Sequence, residues 1–234
     1  MVDDVDGQLG HGEPVRSGLS GMFIEGLPVD GASISVVGES GIHSVVSSSG
    51  GAAAVLERLQ FGLGEGPHWD VLAAGKPVLV GDLRSSSVEH WPTFAAEATS
   101  LNIGAMFSFP MKLGTAIVGV VDLCRYQPGE LSAAEVQEAV TLTRAVTRAA
   151  VHVATDAANT EVDAGPLNPI GPYPEMRREV HQATGMLAVQ LGATTSTTDA
   201  FATLRAFAFA HDRPVDDVAS DIVNRRLDLS EPVP

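Results

Sequence analysis

The stretch Ile117-Val118-Gly119-Val120-Val121-Asp122-Leu123 is rich in β-branched residues and almost continuously apolar. Such a composition is typical of a strand that is buried on both faces, so we expect Thr115 to Tyr126 to form a central strand of a sheet. The short connection Lys112-Leu113-Gly114 separates it from another predicted strand, Ala105 to Met111. The fold is therefore predicted to be built around these two strands.

Shorter elements are predicted on the N-terminal side of this pair. Gly31 to Val37 alternates small or polar with apolar residues, as a half-buried strand does, and Ile42 to Ser47 is its predicted hairpin partner. Lys76 to Val80 is a short strand in which Pro77 favours an edge position or a strand start. The helices predicted in this region are Ala52 to Phe61 and Pro92 to about Leu101.

A long helix is predicted after Ser132, which forms a capping box with Glu135 three residues later, and it continues to about Ala158. Its apolar and small residues form two stripes, one from Val136 to Ala157 and the other from Ala139 to Val153. A helix that is apolar on two faces must bury both. We therefore predict that one face covers the sheet and that the other forms a homodimer contact along residues 132–158. A single broad core face in a monomer is the alternative.

The chain divides into four predicted parts. Residues 1–16 are polar and rich in Gly and Asp, which predicts a leader, and 17–158 form the first folded domain. Residues 159–172 are rich in Pro and predict a linker, and 173–234 then show a purely helical pattern. Three short helices are expected in this last part, namely Glu175 to Leu191, a second from Thr197 or Thr198 to about Ala210, and a third starting at Pro214.

Composition excludes several classes of protein. The net charge of −15 argues against broad, nonspecific binding to nucleic acid or to an anionic membrane. Residues 173–234, with six basic and nine acidic side chains, carry only −3 of it, whereas residues 1–160 carry −10. The absence of a run of about 18 apolar residues and of a signal-peptide pattern predicts a cytoplasmic protein without a membrane partner.

Sequence motifs for catalysis are absent. The chain contains no G-x-x-x-x-G-K-[ST] phosphate loop, no H-E-x-x-H helix and no G-x-S-x-G elbow, so we predict no catalytic residues, no metal site and no enzyme. Gly62 to Pro67 is interpreted as a structural turn, and the single cysteine, Cys124, as a small buried hydrophobic residue. The segment His68-Trp69-Asp70 can either line a cavity or serve packing and surface roles.

Several motifs within about residues 20–158 resemble those of GAF sensor domains, and they follow the order of that family. They are Leu27-Pro28-Val29-Asp30-Gly31-Ala32-Ser33-Ile34-Ser35, Leu63-Gly64-Glu65-Gly66-Pro67, Gly75-Lys76-Pro77-Val78-Leu79-Val80-Gly81-Asp82-Leu83, Trp91-Pro92-x-Phe94, Ser108-Phe109-Pro110-Met111 and Gly119-Val120-Val121-Asp122-Leu123. The resemblance implies an α+β fold, with an antiparallel sheet flanked by helices. It also implies sensing of a small molecule or a partner. No residue pattern identifies the ligand or a cofactor.

The C-terminal part resembles the ANTAR domain, a three-helix RNA-binding module of bacterial, here actinobacterial, transcription antitermination regulators. The motifs that carry this resemblance are Ala183-Thr184-Gly185-Met186-Leu187, Gly192, Ala200-Phe201-x-x-Leu204-Arg205 and Asp212-Arg213-Pro214-Val215-x-Asp217-Val218-Ala219. The resemblance implies a dimer that binds tandem RNA hairpins and prevents formation of a terminator, with no role for DNA. The predicted RNA-binding residues are Ala183, Thr184, Gly185, Phe201, Arg205, Phe209 and Arg213.

Two features of this part bear on RNA binding. Phe201, Arg205 and Phe209 lie at i, i+4 and i+8 of the second helix, and an arginine between aromatic rings can stack on bases and contact phosphate. The alternative is that Phe201 is a core residue and that Arg205 lies at a solvated edge. Thr184 stands where the family usually has Lys, which removes a phosphate contact. The alternative function is therefore a ligand-binding or protein-interaction regulator whose bundle has weakened or lost RNA binding.

Overall fold

A computed structural model describes residues 18–38, 43–84, 90–163, 174–192, 195–211 and 213–229. The predicted leader, 1–16, lies outside these residues. The strands are β1 (Gly31–Val37), β2 (His43–Ser48), β3 (Val78–Val80), β4 (Ala105–Leu113) and β5 (Ala116–Arg125). The helices are α1 (Gly21–Gly26), α2 (Gly51–Leu63), α3 (Pro67–Ala74), α4 (Pro92–Ser100), α5 (Ala133–Asp163), α6 (Pro174–Leu191), α7 (Thr197–Ala210) and α8 (Val215–Val223).

The strands form one antiparallel sheet in the order β2-β1-β5-β4-β3. β5 lies at its centre, as the apolar run around Val120 predicts. β3 follows Pro77 at an edge, where a residue without an N–H donor costs no ladder hydrogen bond. The α+β fold class predicted from the sequence is confirmed.

The two faces of the sheet differ in what covers them. Alternate residues such as Ile34, Phe107 and Val121 face α1 and α5, and together with Ala139 and Val146 they form one apolar core. The opposite face is covered by α2 and α4, whose Leu56 and Phe94 pack with Met106 and Cys124 in a second core. α3 packs on the same sheet, against β3, β4 and β5.

The two predicted stripes of α5 do not form two separate faces. Ala139, Thr143, Val146, Thr147 and Ala150 are all buried, and together they combine both stripes into one broad face over the sheet. The opposite face includes Arg144, Ala145, Arg148, Ala149 and His152 and is exposed. This arrangement corresponds to the single-face alternative, and dimerisation along 132–158 stays a prediction.

Helix termini follow local sequence chemistry. Ser132 and Glu135 form the predicted capping box: the Ser132 N–H donates to Glu135 Oε2 at 2.6 Å, and the Glu135 N–H donates to Ser132 Oγ at 3.3 Å. Hydrogen bonds from the Ser132 backbone N–H and side chain to the Glu135 carboxyl lower its pKa. At its other end α5 runs to Asp163, so the first five positions of the predicted linker are helical, and 164–173 lie outside the described residues.

The C-terminal part is the predicted three-helix bundle. Val180 and Leu187 of α6, Leu204 of α7 and Val218 and Ile222 of α8 are fully buried or nearly so and form its core. Helix α7 is capped by Ser196, one residue before the predicted Thr197, through a reciprocal pair of bonds with Asp199. No helix among the described residues is long and apolar enough to cross a membrane.

Gly119 in β5 is a position where the sheet leaves no room for a side chain. A Cβ at Gly119 would overlap the carbonyl oxygen of Ser35 on β1 and the Met111 side chain on β4. We expect Gly119→Ala to lower the free energy of unfolding by about 1–3 kcal/mol, because a close-packed core resists added volume. Urea unfolding followed by circular dichroism measures this.

Gly185→Ala is the matched control for that measurement. A Cβ at Gly185 meets no atom within 4 Å, and alanine favours a helix more than glycine does. We expect no loss of stability there, and an equal loss at both positions would contradict the steric argument.

Candidate functional site

Polar side chains collect on the face of the sheet that α2 and α3 cover. Ser33 of β1 and Ser108 of β4 are both paired with Asp122 of β5, and Ser35 lies two residues further along β1. Because side chains alternate along a strand, all four point to the same face, and all four are buried. A polar surface is thus enclosed at the centre of the sheet.

Two histidines extend this surface into a hydrogen-bonded chain. Ser108 Oγ donates to Asp122 Oδ1 at 2.5 Å, and His68 Nδ1 lies 2.7 Å from Asp122 Oδ2. His68 Nε2 lies 2.7 Å from His43 Nδ1. We call His43, His68, Asp122 and Ser108 the histidine–aspartate chain.

Proton positions in this chain follow from what each group can accept. A carboxylate only accepts, so the His68 tautomer that fits the contact with Asp122 carries its proton on Nδ1 and donates it. In a neutral His68 the Nε2 atom is then an acceptor, and His43 Nδ1–H is its donor. The order of donation runs from His43 through His68 to Asp122, which satisfies both carboxylate oxygens of a buried acid.

The start of α3 positions His68. Gly66 precedes the helix with φ +117°, and Pro67 occupies its first turn. Gln60 of α2 then holds both following residues, because its Oε1 accepts the His68 N–H at 2.9 Å and its carbonyl oxygen accepts Trp69 Nε1–H at 2.7 Å. Of the predicted turn from Gly62 to Pro67, only residues 64–66 connect the two helices, because Gly62 belongs to α2 and Pro67 to α3. This connection places His68 over Asp122.

Two polar atoms beside the chain retain unused hydrogen-bonding capacity. Ser35 Oγ and Gln60 Nε2 are buried and have no hydrogen-bond partner among the described residues. Within the same ranges no three His, Cys, Asp or Glu side chains are placed to hold a metal ion. The chemistry that this buried face offers is therefore hydrogen bonding.

Trp69 forms the outer wall of the site. Its ring centroid lies 4.8 Å from that of His43 of the histidine–aspartate chain. Phe61 of α2 lies 6.4 Å from His43, again between ring centroids. These two aromatic residues separate the buried chain from the C-terminal bundle.

Phe201 and Arg205, two of the predicted RNA-binding residues, meet at this wall. The Arg205 guanidinium carbon lies 4.8 Å from the centroid of the Phe201 ring and 5.0 Å from that of Trp69. The rings of Phe201 and Phe61 are 4.9 Å apart. Phe201 is buried, as its core interpretation predicts, but Arg205 is half-buried between rings rather than at a solvated edge.

The structure places Ala183 and Thr184 inside the bundle. Both are fully buried, and Thr184 Oγ1 donates to the Val180 carbonyl one turn earlier at 2.7 Å. Gly185 beside them is exposed. In this arrangement a side chain at position 184 faces protein atoms and not a phosphate.

Phe209 and Arg213 are placed differently again. Phe209 is 67% exposed. Arg213 Nη2 donates to Asp221 Oδ2 at 2.6 Å, and Arg226 binds the other oxygen at 2.7 Å. These two bonds lower the pKa of the Asp221 carboxyl. The seven predicted residues therefore do not form one exposed surface.

The sequence carries one signal for the buried site. Asp122 is the only charged residue inside the apolar run from Ile117 to Leu123. A buried carboxyl group requires donors, so Asp122 implied donor partners that sequence spacing alone could not name. The sequence left two roles open for His68, lining a cavity or serving packing and surface roles. In the structure His68 is buried and hydrogen-bonded to Asp122 and His43.

Comparison with known proteins agrees with this fold. The GAF domain family model matches residues 16–150, more than half of the chain. The chain belongs to the GAF domain family, whose members are sensor domains for small molecules. No curated protein matches the chain.

Several of the solved structures similar to this chain are described as GAF domains. One, from an Acinetobacter phosphoenolpyruvate-protein phosphotransferase, is 17% identical over 64% of this chain and 90% of its own, with a TM-score of 0.44. The corresponding domain from Coxiella burnetii is also 17% identical, with the same coverage and a TM-score of 0.45. A GAF domain/HD domain protein from Geobacter sulfurreducens is 16% identical over 58% of this chain and 90% of its own, with a TM-score of 0.43.

Asp122→Asn tests whether the histidine–aspartate chain holds the site together. An amide can accept one of the two donors, but its NH₂ group then faces the other, so we expect a loss of roughly 1–3 kcal/mol in the free energy of unfolding. Asp30→Asn is the control, because Asp30 accepts the Tyr126 N–H at an exposed position. We expect it to cost about 1 kcal/mol or less, and equal costs would contradict the role assigned to Asp122.

Cys124 lies on the same face, and its thiol is buried as predicted. Burial, and then the nearby carboxylates of Asp30 and Asp122, raise its pKa from 9.0 to about 12. We expect no reaction with a disulfide reagent at pH 8 until urea unfolds the chain, since only the thiolate reacts. Because the unfolded thiol ionises first, the free energy of unfolding should also fall as the pH rises from 9.0 toward about 12. Fast labelling of the folded protein would contradict this assignment.

Proposed function

We propose that this chain is a cytoplasmic transcription antitermination regulator rather than an enzyme. Its GAF domain senses a small molecule or a partner. Its C-terminal bundle, 174–229 in the structure, acts as an ANTAR domain that binds RNA hairpins as a homodimer.

One observation carries the RNA-binding part of the proposal. Phe201, Arg205 and Phe209 lie along one stripe of α7, and the Arg205 guanidinium contacts the Phe201 ring while Phe209 is exposed. Unpaired RNA bases stack on aromatic rings and guanidinium planes, and phosphates accept from arginine. We call these three residues the α7 stripe.

The sensing part is supported by the buried polar face. A fully apolar interior would have no polar atoms to orient a ligand. Here Ser35 Oγ and Gln60 Nε2 lie beside the histidine–aspartate chain without partners among the described residues. A small polar molecule would find both donors and acceptors there.

The homodimer is supported by the length of α5. Ala154 is the last residue of α5 in the core over the sheet, and the helix continues for nine residues to Asp163. A helix that extends past the surface it covers gives a second copy a place to pair, and paired subunits suit tandem hairpins.

The alternative is a regulator that binds only a ligand or another protein. It is favoured by the burial of Thr184 and by the net charge of −3 over residues 173–234, which leaves few cations for phosphate. Replacing Thr184 by Lys does not separate the two functions in this chain, because an ammonium there would be buried in the bundle.

Arg205→Ala tests the α7 stripe directly. In a gel shift with tandem-hairpin RNA at low salt, we expect it to weaken binding by about 10-fold or more, since an arginine contact to RNA is lost. Arg84→Ala removes the same charge from an exposed position outside α5 and the bundle and should change binding little. Equal losses would indicate a general charge effect instead of a site.

RNA binding as a whole has its own decisive result. Phe61→Ala removes the aromatic neighbour of the α7 stripe and so exposes the stripe to RNA. If neither the wild type nor Phe61→Ala shifts RNA at low salt, the proposed function is contradicted.

A further inference from the structure

The bundle is docked on the GAF domain through the residues proposed to bind RNA. We call Phe61, Gly62, Gly64 and Trp69 the α2–α3 corner. Phe61 packs on Phe201, and a Cβ at Gly62 would lie 3.9 Å from Val215 of α8. Phe61 belongs to the same buried cluster as the bundle core. The corner thus covers the inner part of the α7 stripe.

Gly64 makes the closest approach in this contact. It ends α2 in the left-handed conformation, with φ +67° and ψ +20°. A Cβ at this position would overlap the Arg205 guanidinium at Nη1. Gly64 therefore serves the helix terminus and also leaves the space in which Arg205 is seated.

Arg205 is enclosed there, and no acidic side chain among the described residues forms an ion pair with it. Its Nη1 atom is buried with no hydrogen-bond partner among the described residues, and burial lowers the pKa of the guanidinium. The Trp69 and Phe201 rings offset this desolvation through cation–π contacts. A guanidinium whose described contacts are aromatic rings can exchange them for a phosphate, because a phosphate supplies both an opposite charge and hydrogen-bond acceptors.

We propose that docking of the bundle on the α2–α3 corner is an autoinhibitory contact, in which the corner and RNA compete for Phe201 and Arg205. This inference rests on the proposed RNA-binding function. One ring or guanidinium face cannot contact both Trp69 and a base, so every docked molecule is withdrawn from RNA binding. The apparent affinity is then reduced by the fraction of molecules that are docked.

The sensor face reaches this contact through two rings. Trp69 and Phe61 each lie against His43, which ends the histidine–aspartate chain. Trp69 also contacts the Arg205 guanidinium. A ligand that changes the hydrogen bonds of that chain therefore acts on a residue next to the Arg205 contact. The bundle is either docked or released, and both RNA and the histidine–aspartate chain shift the equilibrium between these two states.

Gly64→Asn is the variant that opens the contact. Asparagine tolerates the left-handed conformation, and its side chain would occupy the space of the Arg205 guanidinium. Gly75→Asn is the matched control, because Gly75 ends α3 at φ +64° and ψ +25° and faces Ile117 and Lys112 instead of the bundle. Both variants carry the same backbone strain, and only the first meets Arg205.

Phe61→Ala provides a second way to open the contact, should Gly64→Asn fold poorly. The full chain is used in each case, and hydrogen exchange in peptides covering residues 59–70 and 200–209 reports opening without RNA. We expect faster exchange and about 5-fold or greater tightening of tandem-hairpin RNA binding for Gly64→Asn and Phe61→Ala, and neither for Gly75→Asn.

The possible results separate this inference from the function on which it rests. Tighter binding by the opened variants, even where the wild type binds hardly at all, supports both. Faster exchange with RNA affinity equal to that of the wild type overturns autoinhibition and leaves RNA binding intact. Unchanged exchange in both variants overturns the docking contact itself. Absence of binding in all variants overturns the proposed function, and autoinhibition with it.

Discussion

The buried carboxylate of Asp122 is the constraint around which the GAF domain is arranged. A carboxylate enclosed at the centre of a sheet is costly unless its oxygens are hydrogen-bonded. Ser108 supplies one donor from the neighbouring strand and His68 supplies the other from α3. To bring His68 there, the chain must end α2 at Gly64 and begin α3 at Pro67, and Gln60 then fixes that joint.

The same joint determines how the two parts of the chain meet. Because Gly64 and Trp69 flank the start of α3, their placement over the sheet also creates the surface on which Phe201 and Arg205 lie. Sensor chemistry and bundle docking therefore share one piece of backbone. In the proposed regulator the sensor site and the docking contact need no long-range coupling path. His43 belongs to the hydrogen-bonded chain of Asp122, and its ring also packs against Trp69 and Phe61 of the docking contact.

Local patterns predicted most of the elements and few of the contacts. Alternation and β-branching located β1, β4 and β5, and the Ser132–Glu135 pair located the start of α5, because each depends on neighbours in sequence. Helices α1 and α3 were not predicted: α1 has six residues and α3 eight, too few to show a clear period. The two stripes of α5 appeared separate in the sequence, yet the wide sheet buries both as one face.

For this protein the sequence by itself predicted the central position of β5, a short strand at an edge or starting after Pro77, and three helices in the C-terminal part. Those features follow from periodicity and composition within about ten residues, whereas the α+β class was implied by the resemblance to GAF domains. Only the tertiary structure decided that His43, His68, Asp122 and Ser108 form one chain, that Thr184 is buried, and that Arg205 is enclosed by Trp69. The physical reason is sequence distance: Gly64 and Arg205 are 141 residues apart, and which side chains meet across such a separation depends on how whole domains pack.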